Sequence, residues 1–304
     1  MKNTMSATKP EEALNQRKPP TLAVVIVTKD RATLLDETLR RLQRQTWRPD
    51  EIVVVDDHSC DETQRLCREL GDQIRYIRLP RSQGCLYGRN LAAFTTSCEF
   101  TLSLDDDSWF VDDDALEQGV TLLLNQSHVA VLAFNIRSVD GSLQFPPTGQ
   151  ASETYTFTGC GYLLRNAALQ GRPPYLEFFQ GQGEEKALSM QLYASGWIVL
   201  SVPYILVHHE QSLEGRNWNR VRLREHRNDI LRELMMCPGT MLPWAIMKTW
   251  ISHTRYNFSH HHWATDLRVL LSLVDKTRFA FLSRSPMTKE SYRRWQELRN
   301  ALDK

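Results

Sequence analysis

Between residues 22 and 134 the chain repeats one pattern, a short apolar run rich in β-branched residues followed by a helical segment. The first run, residues 22–28, is apolar without alternation, which is typical of a strand buried on both faces. Leucines at helical spacing follow it between residues 33 and 45. Strands that alternate with helices favour right-handed crossovers and a parallel sheet. The predicted fold class is therefore α/β, with a mostly parallel central sheet flanked by helices.

The same pattern places the remaining elements. Strands are predicted at 51–55, 74–78, 100–104 and 129–134, with helices at 61–70, 87–96 and 114–125. After a turn-rich stretch, a strand is predicted at 154–164, a helix at 184–195, and one or two strands at 197–207. Residues 1–20 are polar and predict a disordered tail. Residues 21–212 form the predicted main domain, and residues 213–304 a helical C-terminal region interrupted by prolines.

Charge and cysteine usage limit the class of protein. The formal net charge is +1, but residues 213–304 hold 17 Lys and Arg against 9 Asp and Glu. The six cysteines form no C-x-x-C pair, which predicts reduced thiols. No secretory signal and no apolar run of spanning length is present, so we expect a cytoplasmic protein, at most peripheral to the inner face of a membrane. No nucleic-acid-binding motif accompanies the basic residues.

Acidic residues follow three predicted strands. Ligands bind beyond the carboxyl ends of parallel strands, so these positions indicate a site. The segments concerned are Thr28–Arg31, Asp56–Asp57 and Asp105–Asp107. Carboxylates brought together there would repel one another unless a cation or a polar ligand lay between them. Oxygen ligands of this kind suit Mg²⁺ or Mn²⁺.

A second acidic triplet, Asp112–Asp114, serves as a comparison within the chain. It precedes a predicted helix, where carboxylates cap free backbone N–H groups and complement the helix dipole. We therefore predict a structural role for this triplet. Three adjacent histidines, His260–His262, point in different directions on a helix and are interpreted as surface residues.

Five segments in order resemble family 2 glycosyltransferases, whose fold is called GT-A, over roughly residues 22–212. Each segment is a weak match by itself, and the resemblance depends on the order and spacing of all five. The segments are Val25–Thr28 with Arg31, Val53–Asp57 with Ser59, Gly84 with Arg89-Asn90, Leu104–Asp107, and Gly183–Glu185. The resemblance implies a GT-A catalytic domain at 21–212 and a helical C-terminal appendage.

The resemblance also implies roles for individual residues in binding a nucleotide-diphosphate sugar. Thr28 and Arg31 would contact the nucleotide, and Asp56 and Asp57 would read the base, usually uracil, and support the ribose. Arg89 and Asn90 would border the base and the diphosphate. Asp105 and Asp107 would bracket the metal and the ribose, with Asp106 also on the nucleotide side. His209, at the end of the last strand, is a candidate for contact with the metal or the diphosphate.

Glu185 is the predicted catalytic base, with Glu184 as the alternative. Both begin a predicted helix, whose positive dipole end favours an ionised carboxylate. The expected reaction is a metal-dependent, inverting single displacement from a UDP-linked donor to a hydroxyl of a saccharide or lipid-linked acceptor, as in bacterial-type polysaccharide or glycoconjugate synthesis. The alternatives are a catalytically inactive nucleotide-sugar-binding module and a nucleotidyltransferase, although no glycine-rich loop follows strand one. The basic C-terminal region is a candidate for peripheral membrane contact.

Overall fold

The computed structural model describes residues 19–146, 149–211, 217–260 and 264–302. In these ranges nine strands form one sheet. The strands are β1 (Leu22–Thr28), β2 (Glu51–Asp56), β3 (Arg75–Arg78), β4 (Phe100–Asp105), β5 (Ser108–Phe110), β6 (Val129–Ser138), β7 (Ser152–Glu153), β8 (Gly161–Arg165) and β9 (Ile198–His209). The predicted tail up to residue 18, the domain boundary at residue 212, and His261 and His262 lie outside the described residues.

The sheet has a parallel half and a mixed half. The strand order is β3-β2-β1-β4-β8-β6-β9-β5, and β7 pairs with β9. The first four strands are parallel, as predicted, and β6 is parallel to β9. β8 runs antiparallel to both of its neighbours, β4 and β6. The carboxyl end of β4 therefore lies beside the beginning of β8.

Nine helices in the described ranges accompany this sheet. They are α1 (Ala32–Leu42), α2 (Thr63–Leu70), α3 (Cys85–Thr95), α4 (Ala115–Asn125), α5 (Glu184–Ala194), α6 (Trp218–Met236), α7 (Leu242–Ser259), α8 (Ala264–Leu282) and α9 (Lys289–Leu302). The α/β class and the C-terminal helices are as the sequence predicts. The first five helices each begin or end within two residues of the predicted bounds.

β1 shows why the apolar runs form central strands. Its side chains alternate between two apolar clusters, with Leu22, Val24 and Ile26 in the larger one and Val25 in the other. Helices cover both faces of the strand, so all of its residues before Thr28 are apolar. The larger cluster includes leucines of α1 and α4, and the smaller one includes Ala92 of α3.

A close contact fixes α3 against β1. A Cβ atom at Gly88 would lie 2.7 Å from a methyl carbon of Val27, closer than real Cβ contacts allow. The glycine therefore permits the helix to approach the strand. The next residue, Arg89, is 6% exposed and is directed toward the carboxyl end of the sheet.

The C-terminal helices share a core with α5. Buried residues of α6, such as Ile230 and Leu231, belong to the same apolar cluster as Tyr155 and the α5 side chains. Trp295 of α9 is fully buried, and its Nε1 donates to the Tyr155 carbonyl at 3.0 Å. No helix in the described ranges is both long and apolar enough to cross a membrane. All six cysteines are free thiols.

Two local predictions need correction. Residues 154–160 are not strand; β8 begins only at Gly161, because the preceding segment turns around the edge of a cavity. The carboxylate of Asp114 does not cap α4 but accepts from the Gln118 side chain at 2.9 Å. The short strands β5 and β7 were not predicted, because segments of two or three residues carry no readable alternation.

Candidate active site

The ends of β1 and β4 meet in a network of charged side chains. The Thr28 hydroxyl donates to Asp106 Oδ2 at 2.8 Å. Arg31, from the turn after β1, reaches Asp106 Oδ1 at 3.1 Å and Asp107 Oδ2 at 2.7 Å. Adjacent parallel strands place these groups together because their carboxyl ends share one edge of the sheet. Four residues that the sequence singled out are therefore in direct contact.

The two buried carboxylates of this network have opposite pKa shifts. Burial raises the pKa of Asp106 to about 6, against the opposing effects of Arg31 and Thr28. Burial also acts to raise the pKa of Asp107, but the proximity and charge of His209, together with Arg31, hold that pKa below its ordinary value. Asp107 therefore remains ionised at neutral pH.

His209, at the end of β9, lies between two of the predicted metal ligands. Its Nε2 is 3.2 Å from Asp107 Oδ1 and 3.9 Å from Asp105 Oδ2. Asp107 Oδ1 is buried and has no hydrogen-bond partner among the described residues. A buried carboxylate oxygen left unpaired beside an imidazole and a second carboxylate fits a divalent cation of the Mg²⁺ or Mn²⁺ type.

Cys160 contacts the opposite side of the same imidazole. Its Sγ lies 3.6 Å from His209 Nδ1, and Asp105, Cys160 and His209 each place one donor atom within 4.8 Å of the other two. Burial raises the pKa of the Cys160 thiol well above its ordinary value, so the sulfur is protonated. A neutral thiol is a poor ligand for hard cations. The carboxylates on the Nε2 side are the better candidates.

Arg89 is a buried cation at the centre of the site. Its guanidinium forms an ion pair with Asp105 and lies 5.8 Å from the centroid of the Tyr175 ring. The neighbouring Asn90 exchanges hydrogen bonds with the Tyr175 backbone, donating at 2.9 Å and accepting at 3.0 Å. These contacts hold α3 and the segment around Tyr175 together. Arg89 is thus fixed in place beside Asp105.

The two glutamates at the start of α5 lie on the other side of Arg89. Glu185 Oε1 accepts from the Gly159 backbone N–H at 3.2 Å. A Cβ at Gly159 would lie 2.6 Å from Arg89 Nη1 and 2.8 Å from Glu185 Oε1, so a side chain at this position would displace one or both charged groups. Burial and the charge of Glu184 raise the pKa of Glu185 to about 8. The helix N-terminus favours the ionised form, as expected from sequence, but burial outweighs it.

Glu184 is 7% exposed, and burial raises its pKa too. Its Oε2 has no hydrogen-bond partner among the described residues. The two carboxylates influence each other's titration because they are adjacent and share a poorly solvated environment.

One cavity of about 530 Å³ joins several of these groups. Of the predicted site residues, it is lined by Arg89, Asp105, Glu184, Glu185 and His209. Its remaining walls come from Cys85 and Ile136, from the segment 138–144, from residues 158–160, and from Gln182 and Gln211. A candidate cation site and a candidate base therefore open into the same space.

Asp56 and Asp57 lie beside this cavity rather than in its walls. Asp56 is fully buried and accepts from the Ser59 N–H, the Tyr76 hydroxyl and Arg78. Asp57 is 4% exposed and accepts from the Ser82 hydroxyl and the backbone N–H groups of Gln83 and Gly84. These carboxylates position the loop that leads into α3.

Sequence reasoning missed Gly159 and Cys160. The only signal was Thr158-Gly-Cys-Gly161, in which closely spaced glycines before an apolar run indicate a tight backbone approach. That pattern does not show which side chains lie against the backbone of these glycines. The contact with Arg89 and Glu185 arises from three segments far apart in the chain, so it needed the tertiary structure.

Comparison with known proteins identifies a family. The family model described as "Glycosyl transferase family 2" matches residues 23–179. A Campylobacter jejuni protein named GalNAc(5)-diNAcBac-PP-undecaprenol beta-1,3-glucosyltransferase is 28% identical over 141 residues, which are 44% of this chain and 44% of that protein. A validoxylamine A glucosyltransferase of Streptomyces hygroscopicus subsp. limoneus is 48% identical over 58 residues, 18% of this chain and 13% of that protein. The matched part of the chain spans less than half of either relative.

Solved structures show the same fold. S. aureus TarS 1-349 in complex with UDP-GlcNAc has a TM-score of 0.62 at 17% identity and covers 92% of each chain. GalNAc-T7 with UDP, GalNAc and Mn²⁺ has a TM-score of 0.61 at 16% identity, over 74% of this chain and 49% of that one. The mannosyltransferase PcManGT from Pyrobaculum calidifontis, with GDP-Man and Mn²⁺, has a TM-score of 0.58 at 16% identity, over 94% of this chain and 86% of that one. The sheet and its helices are those of GT-A glycosyltransferases.

Proposed function

The chain belongs to glycosyl transferase family 2, and from this premise we propose that it transfers a sugar from a nucleotide-diphosphate donor to an acceptor hydroxyl. The observation that carries the proposal is the shared cavity. A raised-pKa carboxylate, Glu185, opens into the same space as Arg89, Asp105 and His209. A group that can accept a proton therefore lies next to groups that can stabilise a leaving diphosphate.

The donor would lie along the carboxyl ends of β1, β2 and β4. Thr28, Arg31 and Asp106 are proposed to contact the nucleotide, with Arg89 next to its diphosphate. Asp56, Asp57 and Asn90 are proposed to border the base and ribose. Because the structure gives these last three internal hydrogen-bond partners, their role includes holding the surrounding loop. UDP is the proposed nucleotide, since two of the similar structures were solved with it.

Asp105, Asp107 and His209 are proposed to hold Mg²⁺ or Mn²⁺. The fit rests on the unpaired buried Oδ1 of Asp107 and its 3.2 Å separation from His209 Nε2. Mn²⁺ is present in two of the similar structures. When bound, such a cation supplies charge neutralisation to the departing diphosphate.

Glu185 is proposed as the base of an inverting single displacement. Its carboxylate takes the proton of the acceptor hydroxyl, whose oxygen forms a bond to the anomeric carbon. The bond from that carbon to the diphosphate oxygen breaks, and the nucleoside diphosphate leaves with the electron pair. Glu184 is kept as the alternative base: it lines the same cavity, but it is buried, whereas Glu185 is partly exposed.

A saccharide or a lipid-linked saccharide is the proposed acceptor, as the name of the Campylobacter jejuni relative indicates for that protein. We also propose contact with an anionic membrane surface through α7 and α8. These helices expose large apolar side chains next to lysines and arginines. The exposed residues are Trp244, Met247, Ile251, Leu267, Leu270, Leu271, Val274, Phe279, Phe281 and Leu282.

The proposed activity is tested by donor turnover with a panel of nucleotide sugars, a divalent cation and saccharide acceptors. Asp107→Ala and Glu185→Gln should each reduce turnover by a factor of about 10² or more, the usual scale for loss of a base or of charge stabilisation. Asp113→Ala is the matched control, since this exposed aspartate pairs only with Arg44 in the second acidic triplet.

Full turnover in both Asp107→Ala and Glu185→Gln would contradict the site assignment. Binding of UDP with Mn²⁺ but no turnover with any donor would instead indicate a nucleotide-sugar-binding module. Release of inorganic pyrophosphate from a nucleoside triphosphate would indicate a nucleotidyltransferase.

A further inference from the structure

Four arginines surround a second cavity on the far side of Glu184. This cavity has a volume of about 440 Å³. Arg220, Arg224 and Arg227 come from α6, and Arg268 comes from α8. We call these four residues the arginine cluster. The other lining residues are uncharged; they are Gln180, Asn217, Asn219 and Leu223.

Among the described residues, the arginine cluster has no carboxylate at ion-pair distance, and Glu184 acts on Arg224 only from further away. No ion pair in the described ranges involves Arg220, Arg224, Arg227 or Arg268. Neighbouring arginines of the C-terminal helices differ in this respect: Arg222 pairs with Glu225, and Arg294 pairs with Glu153. Unpaired guanidinium groups gathered at one cavity repel one another, so the cavity is suited to an anion.

One member of the cluster, Arg227, is held in place by the fold. Arg227 is 4% exposed, and its Nη2 donates to the Phe179 carbonyl at 2.7 Å. The cost of burying such a cation is not repaid by any carboxylate here. Burial and the charges of neighbouring arginines lower the pKa values of Arg224 and Arg227. A bound anion would remove this repulsion.

A third cavity lies between the arginine cavity and the cavity of the candidate base, and it shares lining residues with each of them. This middle cavity, also about 440 Å³, shares Gln180 and Arg224 with the arginine cavity. It shares Cys85 and Glu184 with the cavity that contains Glu185. The charge of Arg224 acts on Glu184 and lowers its pKa against the effect of burial. The arginine cavity, the middle cavity and the cavity of Glu185 are therefore neighbours.

We propose that the arginine cluster binds a phosphate or diphosphate group of the acceptor while the acceptor's sugar hydroxyl reaches Glu185. Guanidinium groups suit this ligand because they bind phosphate oxygens with two parallel hydrogen bonds. The inference rests on the proposed glycosyl transfer and adds the chemical class of the acceptor.

The donor diphosphate is the competing ligand for the same cluster. It is disfavoured because Arg89, Asp105 and His209, which are proposed to hold the donor's diphosphate and metal, line the first cavity and neither of the other two. Arg89 and the arginine cluster are thus separate cationic groups, suited to phosphate groups of two different substrates.

Binding of inorganic pyrophosphate, measured by calorimetry in EDTA, tests the site without catalysis. The double variant Arg224→Gln/Arg268→Gln should weaken binding by about tenfold or more, the loss expected for charged hydrogen bonds. Arg255→Gln is the matched control, because Arg255 is exposed on α7 and lines none of the three cavities. Equal pyrophosphate affinity in the double variant and the parent would overturn the site.

Kinetics with three acceptors bearing the same sugar then assign the ligand. The acceptors are a neutral glycoside, a soluble sugar phosphate, and a lipid diphosphate-linked saccharide. We expect the double variant to raise KM for the phosphate-bearing acceptors about tenfold and to leave KM for the neutral glycoside and the donor unchanged. Preference for the lipid acceptor over the soluble one identifies the lipid as the source of the phosphate; equal use identifies the phosphate alone.

The remaining outcomes separate this inference from the proposed function. A rise in donor KM with acceptor KM unchanged would overturn the inference, because the cluster would then hold the donor diphosphate. Loss of pyrophosphate binding in the double variant, without glycosyl transfer by the parent, would support the anion site and refute the proposed activity. Transfer with no preference for phosphate-bearing acceptors would refute the inference alone.

Discussion

At the residue scale, Glu185 is subject to two opposing influences. Its place in the first turn of α5 favours the ionised carboxylate, while burial and the charge of Glu184 favour the neutral acid. The second influence prevails, and the pKa rises to about 8. A base must be ionised to accept a proton, so the working form of the enzyme is the minor one at neutral pH.

The pH dependence of kcat/KM for the acceptor should therefore rise toward a plateau above about pH 8. Glu184→Gln removes a negative charge that raises the pKa of Glu185, so the rising limb should move to lower pH while turnover is retained. Glu185→Gln should lose turnover at every pH. Rate measurements across pH on the parent and both variants distinguish the two glutamates. Lost activity in Glu184→Gln, with activity retained in Glu185→Gln, would assign the base to Glu184.

The sequence predicted which residues gather at this site better than it predicted their protonation states. Parallel strand ends converge by topology, which explains why Thr28 and Asp106 could be placed together from the pattern alone. The raised pKa of Glu185 depends on burial under residues 158–160, a segment without a periodic pattern. Such an effect follows only from three-dimensional packing. The roles of Asp56 and Asp57 in binding a base stay predictions.

At the scale of elements, the packing of α3 on β1 controls the position of Arg89. Helix and strand approach closely because Gly88 has no Cβ, and the buried guanidinium of the next residue meets Asp105 at the end of β4. The helical segment was predictable from sequence within two residues at each end. The close contact was not, because a glycine within a helix has several explanations.

Gly88→Ala should destabilise the protein by about 1–3 kcal/mol, the usual cost of overpacking. The new Cβ would meet both Val27 methyl groups at under 3 Å, so α3 would have to move away from the sheet and carry Arg89 with it. Denaturant unfolding and donor turnover should both decline. Val27→Ala in the same chain removes those methyl groups and should recover part of each loss. Unchanged stability in the single variant would contradict the proposed contact.

At the scale of the whole molecule, the C-terminal helices have one face in the core and another exposed. α6 and α9 bury their apolar residues with α5, whereas α7 and α8 present large apolar side chains outward. The sequence predicted a helical C-terminal region interrupted by prolines, but not which of its helices would be covered. That distinction depends on how the helices pack against α5.

The proposed membrane contact predicts co-sedimentation with vesicles that contain phosphatidylglycerol. Leu271 and Val274 are 66% and 73% exposed, and Leu271→Asp/Val274→Asp should abolish most of the binding by charging the apolar face. Leu124→Asp, at an exposed leucine of α4, is the control. High salt should weaken binding only in part, because burial of apolar surface is not screened. No sedimentation of the parent protein at low salt would refute the contact.

The reversed direction of β8 has a consequence for how substrate range changes among related chains. Because β8 enters the sheet at the end where β4 leaves it, the segment 139–160 is tied at both ends, by β6 and by β8. A segment anchored in this way gains or loses residues at small entropic cost, since each doubling of loop length costs only about 0.6 kcal/mol. The cavity wall formed by this segment is therefore free to be remodelled by insertion and deletion, while the strand ends proposed to face the nucleotide stay in register.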